Sequence, residues 1–148
     1  MGRMLVGAIE LPGGVRVRGR GLRRGVPEGT SPDFGLYLGS GKLRRKYDGG
    51  LSWEREWIQW PDFLLPRDRN AARQSILGLH ARALAGEDVE VACYGGSGRT
   101  GTVLSCLTTL SGLSGDEAIT WVREHYTKHA VETPWQRRWV DWFARQPS

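Results

Sequence analysis

The stretch that most constrains this chain is Val89-Glu90-Val91-Ala92-Cys93-Tyr94-Gly95-Gly96-Ser97-Gly98-Arg99-Thr100-Gly101-Thr102. Val89 to Ala92 reads as a short strand and the glycine cluster after Cys93 as a tight turn. From Arg99 to Ser111 a helix is predicted, with Val103, Cys106, Leu107 and Leu110 as its apolar stripe and Gly112 as its stop. A loop that closes on a helix N-terminus turns free backbone N–H groups inward and forms a nest for a tetrahedral oxyanion. Gly95, Gly96 and Gly98 supply the backbone freedom such a nest needs. Arg99 adds a guanidinium fork that fits two phosphate oxygens. The same electropositive setting favours the thiolate of Cys93. A nucleophile and an anion cradle thus occupy one loop.

Cys93, five intervening residues, Arg99 and Thr100, with Gly96 between, resemble the signature loop of the cysteine-dependent protein tyrosine and dual-specificity phosphatases. Other loop chemistries fail on spacing. A Walker A loop needs lysine where Gly101 is followed by Thr102, and a nucleophile elbow needs glycine where Arg99 stands. The rhodanese-like loop is shorter and lacks the arginine.

A second motif agrees. Trp60-Pro61-Asp62, 31 residues before Cys93, is similar to the mobile loop that carries the general acid in that family. The chemistry requires such a group, because the oxygen displaced by a thiolate leaves poorly until protonated. The resemblance gives that role to Asp62, with Asp68 and Glu132 as the next carboxylates to consider. It makes Cys93 the nucleophile and Thr100 the hydroxyl that helps the sulfur leave. Tyr94, Gly95, Gly96, Ser97, Gly98 and Arg99 would hold the substrate phosphate.

The chain also departs from the family. Ala92 stands where the family usually has histidine. Glu132-Thr133-Pro134-Trp135-Gln136 is similar to a Gln-Thr-x-x-Gln segment that lines the pocket and orients the hydrolytic water, with Glu132 in place of the first glutamine. Gln136 matches the second, and capping from Thr133 explains it equally well. Tyr47 and Asp48 match a pocket-wall loop imperfectly, an ordinary charged loop being the other reading. Leu36-Tyr37-Leu38-Gly39-Ser40 is similar to the first core strand of dual-specificity phosphatases.

The rest of the chain supplies a frame. Met4–Glu10 and Val15–Leu22 read as a hairpin through Leu11-Pro12-Gly13-Gly14, with Val15 and Val17 alternating against Arg16, Arg18 and Arg20. The cationic face is expected to be solvated, or else to steer substrate. Strands are predicted at Phe34–Ser40 and Glu54–Trp60, with a charged loop over Lys42–Gly50. A helix over Asn70–Ala85 buries Ala72, Ile76, Leu79 and Ala83 and stops at Gly86. Ser114 and Glu117 have capping-box spacing ahead of Ile119, Val122 and Tyr126. Thr133-Pro134 opens a last helix whose Trp135, Trp139, Trp142 and Phe143 form a core face. The alternation implies an α/β fold: a central, mostly parallel sheet flanked by helices on both faces, with the cysteine loop at the carboxyl end of the middle strand; the resemblance implies the compact dual-specificity type of it.

At 148 residues one domain is expected, with residues 1–24 a basic hairpin on the core. The net charge of +5 rests on arginine, since only Lys42, Lys46 and Lys128 are lysines, and arginine suits phosphate. Cys93 and Cys106 are too few for a disulfide scaffold. Cys106 reads as a core residue, with a redox partnership to Cys93 as the alternative. His80, His125 and His129 show no metal-ligand spacing. The apolar run before Glu10 is too short for a leader, and no stretch reaches a membrane span. The expectation is a cytoplasmic monomer without metal, cofactor, membrane or nucleic-acid partner. It would hydrolyse phosphotyrosine, or both phospho-residue classes, in a protein or peptide through a cysteinyl phosphate. The alternatives are a phosphatase of a small metabolite, nucleotide or lipid, and a non-catalytic phosphate-binding pseudophosphatase. Phosphoinositide and phytate members of the family that the loop resembles often carry lysines within it, and residues 94–98 have none, so the resemblance favours a protein substrate.

Overall fold

Alternating apolar runs and amphipathic helices build a five-stranded sheet in the order β1-β2-β5-β3-β4. The structure, a computed structural model, describes residues 5–147. The strands are β1 (Ala8–Glu10), β2 (Arg16–Gly21), β3 (Phe34–Gly39), β4 (Glu54–Gln59) and β5 (Val89–Cys93). The helices are α1 (Gly41–Tyr47), α2 (Arg69–Leu84), α3 (Gly98–Thr109), α4 (Gly115–His125) and α5 (Pro134–Arg145). Among the described residues only the β1–β2 hairpin is antiparallel; the other pairings are parallel. Met4, the expected start of the first strand, lies outside the described residues.

The two faces of the sheet differ. Val17, Leu36, Leu38, Val89, Val91 and Cys93 join Ile76, Leu79, Val103, Leu107, Ile119 and Trp139 in the main core, so α2 to α5 lie on one face. The other face carries a smaller cluster of Leu22, Tyr37, Leu51 and Ala92, edged by Leu43, Tyr47, Trp53 and Trp57. A short helix and loops cover it, so the expected helices on both faces reduce to four against one. The loop expected over Lys42–Gly50 is that helix, α1, capped by the Ser40 hydroxyl on the Leu43 amide. It buries no residue, which is why no apolar stripe marked it.

Strand β2 corrects the expected solvated cationic face. It lies between β1 and β5, so both of its edges are paired, and although Arg16 stays exposed, Arg18 and Arg20 are 2% and 8% exposed. They converge on Glu90, itself fully buried in β5. Arg18 Nε donates to Glu90 Oε1 at 2.8 Å, while Arg20 Nε and Nη2 reach Oε1 and Oε2 at 2.9 and 3.0 Å. The Tyr37 hydroxyl donates to Oε2 and itself accepts from Trp53 Nε1. Burial by itself would raise the Glu90 carboxyl. The Arg20 and Tyr37 hydrogen bonds and both guanidinium charges overcome it and hold the group below its ordinary range. Desolvating these charges is tolerable only because each finds a partner.

Helix α3 is buried along its whole length, not along one stripe. Its hydroxyls survive this because Thr102, Ser105 and Thr108 each donate to the carbonyl four residues back. Leu110, expected on the stripe, falls just past the helix and is 37% exposed. Helix α5 buries Trp139 and Phe143, but Trp135 is exposed and Trp142 half-buried, so only part of the expected aromatic face is core. Among the described residues no helix is long and apolar enough to cross a membrane, and no cluster of metal-ligating side chains forms.

Candidate active site

Strand β5 ends at Cys93 and α3 begins at Gly98, and the four residues between them turn at the carboxyl edge of the sheet. Ser97 is the N-cap of α3 but makes no side-chain cap, which leaves the first-turn N–H groups free for an anion. Two loop carbonyls are occupied elsewhere: Tyr94 O accepts from the Arg23 amide at 3.1 Å, and Gly96 O from the Tyr126 hydroxyl. With those acceptors engaged, the Gly96 amide points at Cys93 Sγ, 3.2 Å away, and the Thr100 hydroxyl donates to the same sulfur at 3.0 Å.

The expected glycine requirement resolves into two positions. Gly96 has φ +82°, and a Cβ there would stand 2.6 Å from the Gly21 amide nitrogen. At Gly98 a Cβ would collide with a carboxylate oxygen of Glu132. Gly95 has neither constraint.

Arg99 is 4% exposed and already partly engaged. Its Nη1 donates to Trp60 O at 2.9 Å and Leu38 O at 3.3 Å, which fixes the guanidinium plane against β3 and the end of β4. Its Nη2 lies 3.5 Å from Asp62 Oδ1, while its buried Nε has no hydrogen-bond partner. A buried guanidinium donor without an acceptor is costly, and a phosphate oxygen supplies one.

Trp60 and Asp62 divide the labour of their loop. Trp60 is fully buried, with its Nε1 on Leu64 O at 2.8 Å and its ring against Trp139. Asp62 is 53% exposed and accepts from the Phe63 amide at 3.0 Å. Exposed Trp135 reaches across to donate to Phe63 O. Among the described residues the non-glycine positions with positive φ are Phe63 and Val131, at 60° each. They directly follow Asp62 and directly precede Glu132. For the β-branched Val131 this conformation is costly, and Arg123 holds it through the carbonyls of Ala130 and Val131 at 2.8 and 2.7 Å.

Glu132 is the carboxylate that lies against the catalytic loop at Gly98. Partial burial, and then repulsion from Asp62, raise its carboxyl above the ordinary range against the opposing pull of Arg99 and His129. Gln136 is fully buried and closes the capping box of α5, its Oε1 accepting from Glu132 N at 2.9 Å and Thr133 N at 3.3 Å. Its Nε2 has no partner. Tyr47 ends α1 with its ring 6.5 Å from that of Tyr94. Asp48 is taken up structurally, by Arg55 and Trp57 Nε1 at 2.7 Å each. Asp68 caps α2 through the Ala71 amide. Cys106 is fully buried in the core, where desolvation pushes its thiol well above the ordinary range.

Sequence reasoning missed Tyr126, which it placed on the apolar side of α4 and which instead pins the loop. Nothing in its local context marks that role. It also passed over Glu90, although a carboxylate inside an apolar strand three residues before the nucleophile must find buried partners.

Comparison with known proteins bears on the fold. The chain superposes on Tk-PTP in its active form with a TM-score of 0.76 at 24% identity, over 97% of this chain and 100% of that one. It has the compact fold of the protein tyrosine and dual-specificity phosphatases. Within this phosphatase fold it also matches kinase associated phosphatase, with a TM-score of 0.66, 18% identity, and 79% and 73% coverage of the two chains. PTPMT1 in complex with PI(5)P gives 0.60 at 18% identity over 77% of each chain. No family model matches. Two uncharacterized proteins of Methanocaldococcus jannaschii are 47% and 46% identical over 55 and 54 residues, or 37% and 36% of this chain. The chain matches about a third of the length of these curated relatives, 36% and 33%.

Proposed function

We propose that this protein is a cysteine-dependent phosphomonoester hydrolase of the protein tyrosine or dual-specificity type, working through a cysteinyl phosphate. The observation that carries the reading is the donor set around Cys93 Sγ, the Gly96 amide and Thr100 hydroxyl, beside an Arg99 whose buried Nε lacks an acceptor. The phosphatase fold supports it.

In the first step the Cys93 thiolate attacks phosphorus. The loop amides of residues 94–99 and Arg99 bind the equatorial oxygens, and the P–O bond breaks as Asp62 protonates the leaving oxygen. In the second step water attacks the phosphorus and Asp62 takes its proton. The S–P bond then breaks, with Thr100 stabilising the returning thiolate as phosphate is released. Glu132, against Gly98 and electrostatically coupled to Asp62 and Arg99, is better placed to orient that water than Gln136, which holds the Glu132 backbone. A phosphorylated protein or peptide is the favoured substrate, a small phosphorylated molecule the alternative. The decisive assay is hydrolysis of para-nitrophenyl phosphate by the purified protein, with vanadate as inhibitor and chelator without effect. No turnover in wild type would leave the phosphate-binding pseudophosphatase reading; dependence on a divalent ion would overturn the mechanism.

A further inference from the structure

Helix α5 touches the segment that carries Asp62 at two points of different construction. The first is buried: the Trp60 ring lies against that of Trp139, 5.3 Å between centroids, and Trp60 Nε1 is fixed on Leu64 O. The second lies one helical turn earlier and is open to water. There the Trp135 indole donates to Phe63 O, although Trp135 and Phe63 are 39% and 52% exposed. Asp62 stands in the chain between the buried point and the open one.

Apolar burial accounts for little of the Trp135 position, since the ring stays largely in solvent where a tryptophan usually gains from being covered. Its backbone is rigid, because Thr133 and the fully buried Gln136 close the capping box on either side of it. The loop side needs a holding contact. Phe63 sits at φ 60°, a conformation that persists in a residue with a side chain only where its surroundings impose it. The peptide that follows it is held at both ends: Leu64 N donates to Pro61 O at 3.1 Å, and Phe63 O accepts from Trp135. That closes the turn Pro61–Leu64, inside which the Phe63 amide donates to Asp62 Oδ1 at 3.0 Å. Repulsion between Asp62 and Glu132 pushes the turn away from the start of α5. Trp135, three residues past Glu132, holds against it.

We infer that Trp135 is a positioning residue for the general acid: its indole N–H on Phe63 O fixes the Pro61–Leu64 turn so that the Asp62 carboxyl group stays within reach of the leaving oxygen. The inference rests on the phosphatase reading above, in which Asp62 is that acid. Water competes for both partners of this bond, so it opens more readily than the buried contact of Trp60 with Trp139. Trp139 keeps the loop on the core, and Trp135 sets where the acid stands.

The test removes the donor and keeps an aromatic ring. Trp135→Phe on the full chain is compared with wild type on phenyl phosphate and para-nitrophenyl phosphate, whose leaving groups differ in their need for a proton. For phenyl phosphate kcat/KM is expected to fall roughly threefold to tenfold, the worth of one hydrogen bond. The loss should be smaller for para-nitrophenyl phosphate, because nitrophenolate departs more easily unprotonated. In the Asp62→Ala background Trp135→Phe should have no further effect on either substrate. No loss, an equal loss on both substrates, or a loss that adds fully to that of Asp62→Ala would overturn the inference. The bond also has a readout of its own. The Trp135 indole N–H, assigned in the NMR spectrum by its absence from Trp135→Phe, should exchange with water more slowly than a free indole; exchange at the free rate would overturn the contact. That measurement needs no turnover, so a wild type inactive on para-nitrophenyl phosphate yet protected at Trp135 would remove the hydrolase reading and leave the contact standing.

Discussion

The two flanks of the catalytic loop are built on opposite plans. On the side of β2 the loop is clamped: Gly96 meets the Gly21 backbone, the Tyr94 and Gly96 carbonyls are taken by Arg23 and Tyr126, and Arg18, Arg20 and Glu90 lock the strand behind it. On the side of Trp60 the loop meets carboxylates instead. Asp62 and Glu132 are both exposed, each next to a residue in the left-handed region and neither buried by packing. One flank is cationic and rigidly bonded, the other anionic and lightly tied. In the mechanism proposed above the cradle holds a dianion in one geometry, whereas the acid has to approach and withdraw from a leaving group that differs between steps.

The sharpest break in this comparison is at the nucleophile. Cys93→Ser is expected to abolish turnover of para-nitrophenyl phosphate while leaving vanadate or substrate binding intact, since the amides and Arg99 remain. Appreciable activity in this variant would remove Cys93 from the mechanism.

The anionic flank is tested at Asp62. Asp62→Ala is expected to lower kcat by roughly 10²–10⁴, the usual worth of a positioned acid, with a smaller loss for aryl leaving groups of low pKa. An equal loss across leaving groups would make Asp62 structural.

The clamped flank is tested at Glu90. Glu90→Gln leaves two buried guanidiniums without their carboxylate and is expected to cost about 3–5 kcal/mol in denaturant unfolding, with weaker vanadate binding. The folded-state carboxyl lies below its ordinary value, so the stability it adds is present above the ordinary carboxylate range and is lost as pH falls through the folded-state value. The gap between wild type and variant should therefore close on acidification. A gap that widened in acid would contradict the assignment.

The smallest effects separate Glu132 from Gln136. Gln136→Ala should cost about 1 kcal/mol of stability through the lost cap. Glu132→Gln should instead slow breakdown of the cysteinyl phosphate, seen as a larger burst of released phenolate, with little change in stability. The reverse pattern would exchange their roles.

Much of the site was legible because its chemistry is local. Cys93, Arg99 and Thr100 are brought together by one loop and one helix turn, and their spacing survives any packing around them. Strands β3 and β5 and the capping boxes at Ser114 and Thr133 were legible for the same reason, since periodicity and caps act over a few residues. Helix α1 escaped notice because it buries no residue fully, Leu43 and Tyr47 being only partly covered, so no apolar stripe reports it.

What the tertiary structure decided is everything that depends on the far side of a residue. Alternating valine and arginine in β2 reads as a surface strand until the strand order pairs its inner edge with β5. Arg18 and Arg20 then become core residues because Glu90, seventy-two and seventy positions away, meets them. The tie from Arg99 to Trp60 O and the place of Tyr126 on Gly96 O likewise join segments 39 and 30 residues apart. By itself the sequence determined the candidate nucleophile, the candidate anion nest and the kind of fold that can present them, because those follow from backbone geometry and neighbouring side chains. Which charges are buried, which carboxylate faces the loop and which indole reaches Phe63 were decided by packing, where burial and long-range partners set the energy of each group.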